Sequence, residues 1–313
     1  MTLSAIVFTI AFFCKMRNFL FFCLLWSNIL PAQTNDFSES FLYFPQNMSI
    51  ILPAYGGIGS DVQANFVYRS YLGPLSAIRV YAANVDYNLQ KKDKLFPAHA
   101  KHSVGGGFYS SREGDFINRN RILFRYVWHI RLTESLHLSG GAAFHVINYV
   151  FKASSAGANG SDFAWSGNIG VALYSSSFRF GFAANDFNQP SLTPLDVPSV
   201  VYRYYTVHAE KSVELGLQTK LKGSVRANLV PHGYSSLAAS LGLLYLDKLG
   251  ISGFVHNTQG WGLAFELDKL EMGNSWLDLS FAYRFPYSNG YRIPYNSFEI
   301  NVGYYLLKLR DAE

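Results

Sequence analysis

The stretch RILFRYVWHIRL, residues 121–132, decides the fold class. Its even-numbered positions carry Ile, Phe, Tyr, Trp, Ile and Leu, whereas its odd-numbered positions include three arginines and a histidine. Because successive side chains of a β-strand point to opposite faces, this alternation predicts a strand with one bulky apolar face and one largely basic face. Such a strand fits a soluble sandwich, whose apolar face meets a second sheet, or a membrane barrel, whose apolar face meets lipid.

The same alternation recurs along most of the chain and marks about fourteen segments. Their approximate bounds are 58–70, 76–90, 102–112, 119–132, 135–150, 162–175, 177–187, 200–211, 219–230, 235–246, 248–258, 260–270, 275–286 and 296–308. One face of these segments is apolar and aromatic, and the other is polar. The polar faces supply nine candidate lumen-lining residues, which are Arg121, Arg125, Arg179, Lys220, Lys222, Arg226, Glu266, Asp268 and Arg284.

The composition favours the membrane barrel over the soluble sandwich. Only 15% of the 313 residues are charged, compared with about 25% in typical globular proteins. The chain also carries 21 Tyr and 26 Phe, which suits a second apolar surface facing lipid. We therefore predict an all-β protein: a transmembrane antiparallel β-barrel of the outer membrane with about 14 strands. It would span residues 58–308 and leave a short tail at 309–313.

The barrel gives the two faces of residues 121–132 different environments. Trp128 and its row are expected to face lipid, while Arg121, Arg125 and His129 face a hydrated lumen. Since water would replace a lumen arginine, we expect Arg125→Ala to impair folding less than an arginine introduced at position 128.

Residues 1–32 have the pattern of an export signal. Behind Arg17, an apolar run at 19–26 leads to the sequence LPA, which ends at Ala32. This arrangement predicts a secretory signal peptide cleaved after Ala32, with Met16 as the better initiator. The apolar run is shorter than the roughly 20 residues that a transmembrane helix needs.

We predict that the mature protein begins near Gln33, because a signal peptidase cleaves after small residues such as Ala32. N-terminal sequencing of protein extracted from membranes measures this start directly. Recovery of peptides covering residues 19–26 from the mature protein would contradict the prediction.

Removal of the signal also removes both cysteines, Cys14 and Cys23. The mature chain would then have no disulfide, no thiolate nucleophile and no Cys-ligated metal. Without Lys15 and Arg17, the 26 basic residues fall to 24 against 21 acidic ones, a balance too mild to indicate nucleic acid as a partner. The remaining sequence has no apolar run long enough for a transmembrane helix.

The histidines form no recognisable catalytic or metal site in the sequence. Ser139 and His145 share a face, but six residues of strand separate them by roughly 20 Å, too far for a hydrogen bond. His137 lies further still from His145. The glycine runs at 56–59 and 105–107 precede no helix that could bind phosphate, so we interpret them as strand kinks or close packing. The sequence therefore predicts a protein that is not an enzyme and needs neither metal nor cofactor.

Residues 33–57 are predicted to dock rather than to span the membrane. This segment starts polar and is interrupted by Pro45 and Pro53, yet it carries apolar residues at 41–44 and 50–52. Such side chains are unfavourable free in water. We therefore expect the segment to lie inside the barrel as a plug or to bind a partner in the periplasm.

The longer connections are expected outside the cell and the short turns in the periplasm. One outer connection carries Gln189, Pro190 and Pro194. Because proline restricts the backbone, we interpret this connection as a stiffened recognition loop on the extracellular side.

Several short motifs follow one another in a recognisable order. They comprise Pro53, Ala54, Tyr55 and Gly57 of LPAYGG, then Tyr68 and Arg69, then Tyr126 and His129, and finally DFAWSGNIGVALYSSSFRFGFAANDFNQP at 162–190. In order and spacing they resemble the PorP/SprF family, outer-membrane proteins of the type IX secretion system in Bacteroidota. The resemblance covers nearly the whole chain after the signal.

The resemblance implies a non-enzymatic protein that supports secretion, or surface attachment, of cargo bearing a C-terminal sorting domain. It implies contact with outer-membrane lipid and with periplasmic lipoprotein components of the secretion machine. Two other classes stay open, a fatty-acid-channel-like transporter of small hydrophobic solutes and a purely structural porin-like barrel. Loss of a transporter would impair uptake, whereas loss of a secretion factor would remove specific surface proteins.

Overall fold

The chain folds into a closed antiparallel β-barrel of fourteen strands, as seen in a computed structural model. The structure describes residues 41–89, 100–152, 159–195, 198–231, 235–257, 259–287 and 295–306. The predicted signal peptide and the predicted tail at 309–313 lie outside these residues.

The barrel strands follow one another around the wall in chain order. They are β1 (Val62–Tyr71), β2 (Arg79–Leu89), β3 (Ala100–Glu113), β4 (Ile117–Arg131), β5 (His137–Lys152), β6 (Asn159–Tyr174), β7 (Phe178–Asn185), β10 (Tyr204–Glu214), β11 (Thr219–Leu229), β12 (Ser236–Tyr245), β13 (Leu249–His256), β14 (Gly260–Met272), β15 (Ser275–Pro286) and β16 (Ser297–Leu306). Between β7 and β10, the two-residue strands β8 (Ser191–Leu192) and β9 (Ser199–Val200) form a separate small sheet. Pairing of β1 with β16 closes the barrel, so the wall has no free edge.

Each of the fourteen predicted segments overlaps one barrel strand, which confirms the predicted fold class. The predicted and observed bounds differ most at the starts of two strands. The predicted segments begin at residues 58 and 200, whereas β1 begins at Val62 and β10 at Tyr204. Gly57 and Gly59 have φ angles of 72° and 92°, so the chain turns there before it becomes extended. The small sheet was not predicted, since two-residue strands show no periodicity.

The alternation of β4 separates an apolar exterior from a buried interior. Phe124 has 61% of its surface exposed on the outside of the barrel, whereas its neighbour Leu123 is 2% exposed on the inside. Large exposed apolar side chains occur in the same way on β6, β12 and β14. In an aqueous solvent so large an apolar surface would be unfavourable, and its natural environment is lipid.

The two ends of the barrel differ in the lengths of their connections. At the end where β1 begins, the described connections are short, at 132–136, 175–177, 215–218, 246–248 and 273–274. At the opposite end, the longest connection is the one between β7 and β10, of which residues 186–195 and 198–203 are described. Because short turns mark the periplasmic side of such barrels, we call the first end the inner end and the second the outer end.

Residues 41–61, here called the luminal segment, run inside the barrel. The segment contains three short helical stretches, Phe44–Asn47 (3₁₀), Met48–Ile51 (α) and Pro53–Tyr55 (3₁₀); a further 3₁₀ turn, Gly73–Leu75, joins β1 to β2. The luminal segment begins in the outer half of the lumen and reaches the inner end, where β1 starts. No helix among the described residues is long and apolar enough to cross a membrane.

The buried apolar core is formed mainly where the luminal segment packs against the lumen-facing side of the barrel strands. Phe41 and Ile51 pack against strand residues of β1 to β3, and Leu42 and Tyr43 pack against Phe254. Small wall residues such as Ala172 face the larger side chains of the segment. Burial of these apolar groups, at about 25 cal/mol per Å², is the main force that holds the segment in the lumen.

Candidate functional site

The outer part of the luminal segment is held by carboxylates of the barrel wall. The backbone N–H groups of Leu42 and Tyr43 donate to the two oxygens of Glu299, at 2.6 and 3.1 Å. His256 Nε2 donates to the Leu42 carbonyl at 2.9 Å. The Tyr43 hydroxyl donates to Glu266 at 2.5 Å. Burial, followed by the adjacent Glu266 carboxylate, raises the pKa of Tyr43 well above its ordinary value, so the phenol keeps its proton and remains a donor.

Phe44 occupies the centre of a cage of cationic and aromatic groups. The Arg226 guanidinium lies over its ring, 5.0 Å from the centroid, and the imidazoles of His208 and His256 meet it edge-on at 6.0 and 6.1 Å. Strand register explains the cage, because Arg226 is paired with His208 on one side and with Ala238 on the other, and Ala238 is paired with His256. One row across four strands therefore encloses one aromatic ring of the segment.

An ion pair fixes the middle of the segment. Arg125 on β4 donates to both oxygens of Asp86 on β2, with Nη2 at 2.5 and 2.6 Å and Nε at 3.0 Å. Arg125 also donates through Nη1 to the carbonyl of Ser49 in the luminal segment. The pair reaches across β3 because Gly105 lies between the two residues in the register and has no side chain. A Cβ on Gly105 would collide with the Asp86 carboxylate.

At the inner end, the motif LPAYGG contacts the wall mainly through its backbone. Ser139 donates to the carbonyl of Ala54 at 2.8 Å, and a hydrogen bond of 2.8 Å joins the Tyr55 hydroxyl to His208 Nδ1. Gly141 provides the space for this approach, since a Cβ there would lie 2.6 Å from the backbone atoms of Pro53 and Ala54.

The LPAYGG motif and the motif residue His129 are far apart in sequence but meet in space. His129 Nε2 donates to the Gly56 carbonyl at 3.0 Å, and the Tyr174 hydroxyl hydrogen-bonds to His129 Nδ1 at 3.0 Å. Asn88 and Lys101 both donate to the Gly57 carbonyl at 3.1 Å. These bonds position the turn that leads from the luminal segment into β1.

The other family-motif residues lie on both faces of the wall. Arg69 is buried inside and donates to the Tyr71 hydroxyl at 2.8 Å. Tyr68 faces outward, where its ring packs against Tyr81 at 5.2 Å. Tyr126 also faces outward.

The nine predicted lumen-lining residues occupy the inward-facing positions of their strands. Arg121, Arg125, Arg226, Glu266 and Arg284 are buried. Arg179, Lys222 and Asp268 line a cavity near the inner end, and Lys220 pairs with Asp247 at the inner rim at 2.8 Å.

The expectation that water surrounds the lumen arginines is wrong for Arg121 and Arg125. Arg121 pairs with Asp186 at 3.2 Å, and Arg125 pairs with Asp86. The side chains of Arg125 and Asp86 are 1% and 0% exposed, so removal of one charge would leave the other buried.

The candidate recognition loop folds back onto the barrel. Gln189 is exposed, whereas Pro190 and Pro194 are buried. Leu192 is completely buried in a cluster with Ile147. The connection therefore covers part of the outer end of the lumen, and over residues 187–195 every second residue is exposed to the outside.

A closed antiparallel barrel with an apolar exterior and a polar lumen filled by its own N-terminal residues defines the class of outer-membrane β-barrels. The sequence profile of the type IX secretion system membrane protein PorP/SprF matches residues 33–304, and the chain belongs to this family. The resemblance seen in the short motifs is thereby confirmed. The family is one of secretion-system membrane proteins rather than of enzymes.

Three solved structures that this chain resembles are remote from it in sequence. The Ralstonia pickettii toluene transporter TbuX is 10% identical, with a TM-score of 0.49 over 82% of this chain and 92% of that chain. The Pseudomonas putida toluene transporter TodX is 12% identical, with a TM-score of 0.48 over 85% and 93%. The translocator domain of the autotransporter NalP from Neisseria meningitidis is 13% identical, with a TM-score of 0.38 over 83% and 91%. No curated protein matches the sequence significantly.

Proposed function

We propose that the protein is a non-enzymatic outer-membrane component of the type IX secretion system that supports secretion or surface attachment of cargo with a C-terminal sorting domain. Family membership supports the secretion role. The observation that carries the proposal is the filled lumen, because the luminal segment is tied to the wall by Glu299, Arg125 and His129. Such a barrel is suited to act through its two ends.

The outer end offers the surface for cargo in this proposal. Residues 186–195 are anchored to the lumen side of the barrel, since Asp186 pairs with Arg121 and Leu192 is buried. The anchoring holds exposed positions such as Gln189 and Leu195 in a defined arrangement. A preorganised loop loses less conformational entropy on binding than a flexible one, which favours recognition of a folded sorting domain.

The inner end is the expected contact for periplasmic lipoprotein components. Both ends would then be occupied by proteins while the lumen stays closed. Transport of small hydrophobic solutes is the competing function, and the experiment below separates the two.

Deletion of residues 41–52 and, separately, of residues 192–198 is expected to deplete specific surface proteins without changing fatty-acid uptake. The first deletion removes the anchored luminal segment, and the second removes the folded outer connection. The surface proteome and the uptake rate are measured in each strain after heat-modifiable gel mobility has shown an intact barrel.

Two milder variants control this experiment. Phe44→Ala empties the cage formed by Arg226, His208 and His256 but keeps the backbone bonds to Glu299, so it should reproduce the first deletion more weakly. Leu217→Ser changes a fully exposed residue of an inner turn and should change neither readout. Normal surface cargo combined with impaired uptake would refute the secretion function and favour the transporter.

A further inference from the structure

The strands around the barrel end at different heights on the outer side. β6 has 16 residues and pairs with β5 along its whole length, from Asn159 to Tyr174. On its other side, β6 pairs with β7 only from Ile169 to Tyr174, because β7 ends at Asn185. Among the described residues, no strand pairs on that side with the outer part of β6, residues 159–168. We call this side of the outer part the open edge of β6.

The open edge carries the main-chain groups of every second residue. Gly167 identifies them, since its carbonyl accepts the N–H of Phe187 at 3.1 Å and its N–H donates to Asn188 Oδ1 at 3.2 Å. Asn188 Nδ2 also donates to the Trp165 carbonyl at 2.8 Å. Because the main-chain groups of a strand point alternately to its two sides, those of the odd-numbered residues of β6 all point to the open edge. The Asn188 amide thus takes the place of a strand at one position.

Farther out, the open edge is uncovered at Ser161 and Phe163. The Phe163 N–H donates to the side chain of Asp162 at 2.7 Å. Among the described residues, the Phe163 carbonyl and both main-chain groups of Ser161 have no partner on this side. The sequence NGSDFAW at 159–165 contains neither the lysine nor the proline that commonly protects an exposed edge strand from pairing. The edge can therefore serve as a template for one more strand.

The connection between β7 and β10 holds this part of β6 in place without covering the edge. The backbone N–H of Thr193 donates to Asp162 Oδ2 at 2.6 Å. The Pro194 carbonyl lies against Gly160, where a Cβ would collide with it. Both contacts are made on the lumen face of β6, and the complete ladder with β5 supports the strand from the far side. The open edge is thus preformed, which lowers the entropic cost of binding there.

The outward-facing side chains beside the open edge are large and apolar. Phe163 is 67% exposed and Trp165 is 58% exposed. About 9–11 residues of a strand cross the hydrocarbon of a membrane, so the 16 residues of β6 carry its outer end beyond the lipid. Lipid tails cover apolar rings but offer no donor or acceptor to the main chain. A polypeptide strand offers apolar side chains, donors and acceptors together.

We propose that the open edge of β6 binds an extended segment of an exported polypeptide as an additional antiparallel strand. Main-chain hydrogen bonds form at Ser161 and Phe163, and alternate apolar side chains of the segment lie beside Phe163 and Trp165. Antiparallel pairing continues the pattern of the barrel and is slightly more stable per residue than parallel pairing. The choice of an exported polypeptide as the source of the strand rests on the proposed secretion function, whereas the edge itself does not.

The test uses full-length protein purified from membranes in detergent and a fluorescein-labelled, end-blocked peptide, Lys-Thr-Val-Thr-Val-Thr-Val-Lys, as the probe. Binding is measured as fluorescence anisotropy, and we expect it to be saturable. In an antiparallel pair, the residues directly opposite Ser161 and Phe163 share their outward face and exchange main-chain bonds with them. The valines of the bound peptide therefore bond to the edge, while the N–H groups of its threonines point away.

Two methylated peptides provide a matched comparison on the unmodified protein. N-methylation of the valines removes the donors that face β6 and is expected to weaken the peptide's Kd about tenfold or more. N-methylation of the threonines adds the same number of methyl groups on the far side of the peptide. This second peptide should bind as tightly as the unmethylated one.

Ser161→Pro removes the edge N–H from the protein itself. Because the N–H of Ser161 points away from β5, a proline there leaves the ladder between β5 and β6 intact. We expect Ser161→Pro to weaken the Kd of the unmethylated peptide about tenfold or more, and Ser161→Thr, the matched control, to leave it unchanged. Heat-modifiable mobility shows whether the variant barrels are intact. If Ser161→Pro does not fold, the two methylated peptides decide the question on the native protein.

Three results would overturn the proposal: no saturable binding, equal binding of the two methylated peptides, or a folded Ser161→Pro barrel with an unchanged Kd. Equal binding of the methylated peptides would mean that only apolar contact is made, as a lipid or detergent molecule makes it. Because binding is measured on purified protein with a synthetic peptide, these results are independent of the surface proteome. Failure of this inference and failure of the secretion function are therefore distinguishable.

Discussion

Arg125→Ala is expected to destabilise the barrel by about 3–5 kcal/mol, because it leaves the buried Asp86 carboxylate without its partner. In the native barrel, Arg125 donates three hydrogen bonds to Asp86 in an enclosed site. The substitution also removes the donor to the Ser49 carbonyl, so the luminal segment loses its central contact. The measurement is urea unfolding of the purified protein in detergent, supported by heat-modifiable mobility.

The double variant Arg125→Ala/Asp86→Ala is expected to recover most of this loss, because it removes the unpaired charge along with its partner. Arg131→Ala on the same strand is the matched control. Arg131 is exposed at the inner end of β4 and donates to the nearby Thr133 carbonyl at 3.2 Å, so its loss should cost little. A double variant as unstable as Arg125→Ala would show that the ion pair does not explain the effect.

The alternation of Arg125 with Phe124 and Tyr126 could predict that the arginine faces inward, but not what it meets there. Its partner Asp86 lies 39 residues away and two strands along the wall. The pairing depends on the exact register of three strands and on the missing side chain at Gly105. A shift of one residue would break it, and sequence periodicity does not fix register to that precision.

The wall of the barrel was more predictable than its contents. The barrel strands tend toward a period of two because one face meets lipid and the other meets the lumen, so the sequence of β4 reports both faces directly. Residues 41–61 have no such period. Their apolar residues indicate burial, but the choice between the lumen and a partner depends on wall features such as Glu299 and Gly141, which become neighbours only after the barrel closes.

Buried prolines at positions 190 and 194 show a further limit of sequence reasoning. Proline indicates a restricted backbone, but it does not indicate which side of a connection faces solvent. The anchors that pull this connection inward are Arg121, on a distant strand, and the apolar cluster around Leu192. Neither contact has a signal within the connection itself.

Phe124→Arg is expected to destabilise the barrel by about 2–4 kcal/mol, the cost of a cation at the midplane of the lipid face. Phe124 is the middle residue of β4, and Ile122 and Tyr126 flank it on the same exposed face. Trp128, the position first singled out from the sequence, lies only three residues from the inner end of β4, so Trp128→Arg should cost less. The structure thus reverses the expected ranking, and loss of the paired Arg125 becomes the more damaging change.

An arginine introduced near the outer end of β4 tests whether the cost depends on depth in the membrane. Asn118 is on the same face as Phe124 but six residues away, where an arginine reaches the interface and should cost about 0–1 kcal/mol. Phe124→Leu, which keeps the face apolar, separates the effect of charge from the loss of the ring. Urea unfolding of the variants should give a graded loss, largest for Phe124→Arg, intermediate for Trp128→Arg and smallest for Asn118→Arg. Equal losses at the three depths would mean that this face does not contact a lipid-like phase, and the assignment of the barrel exterior would have to be abandoned.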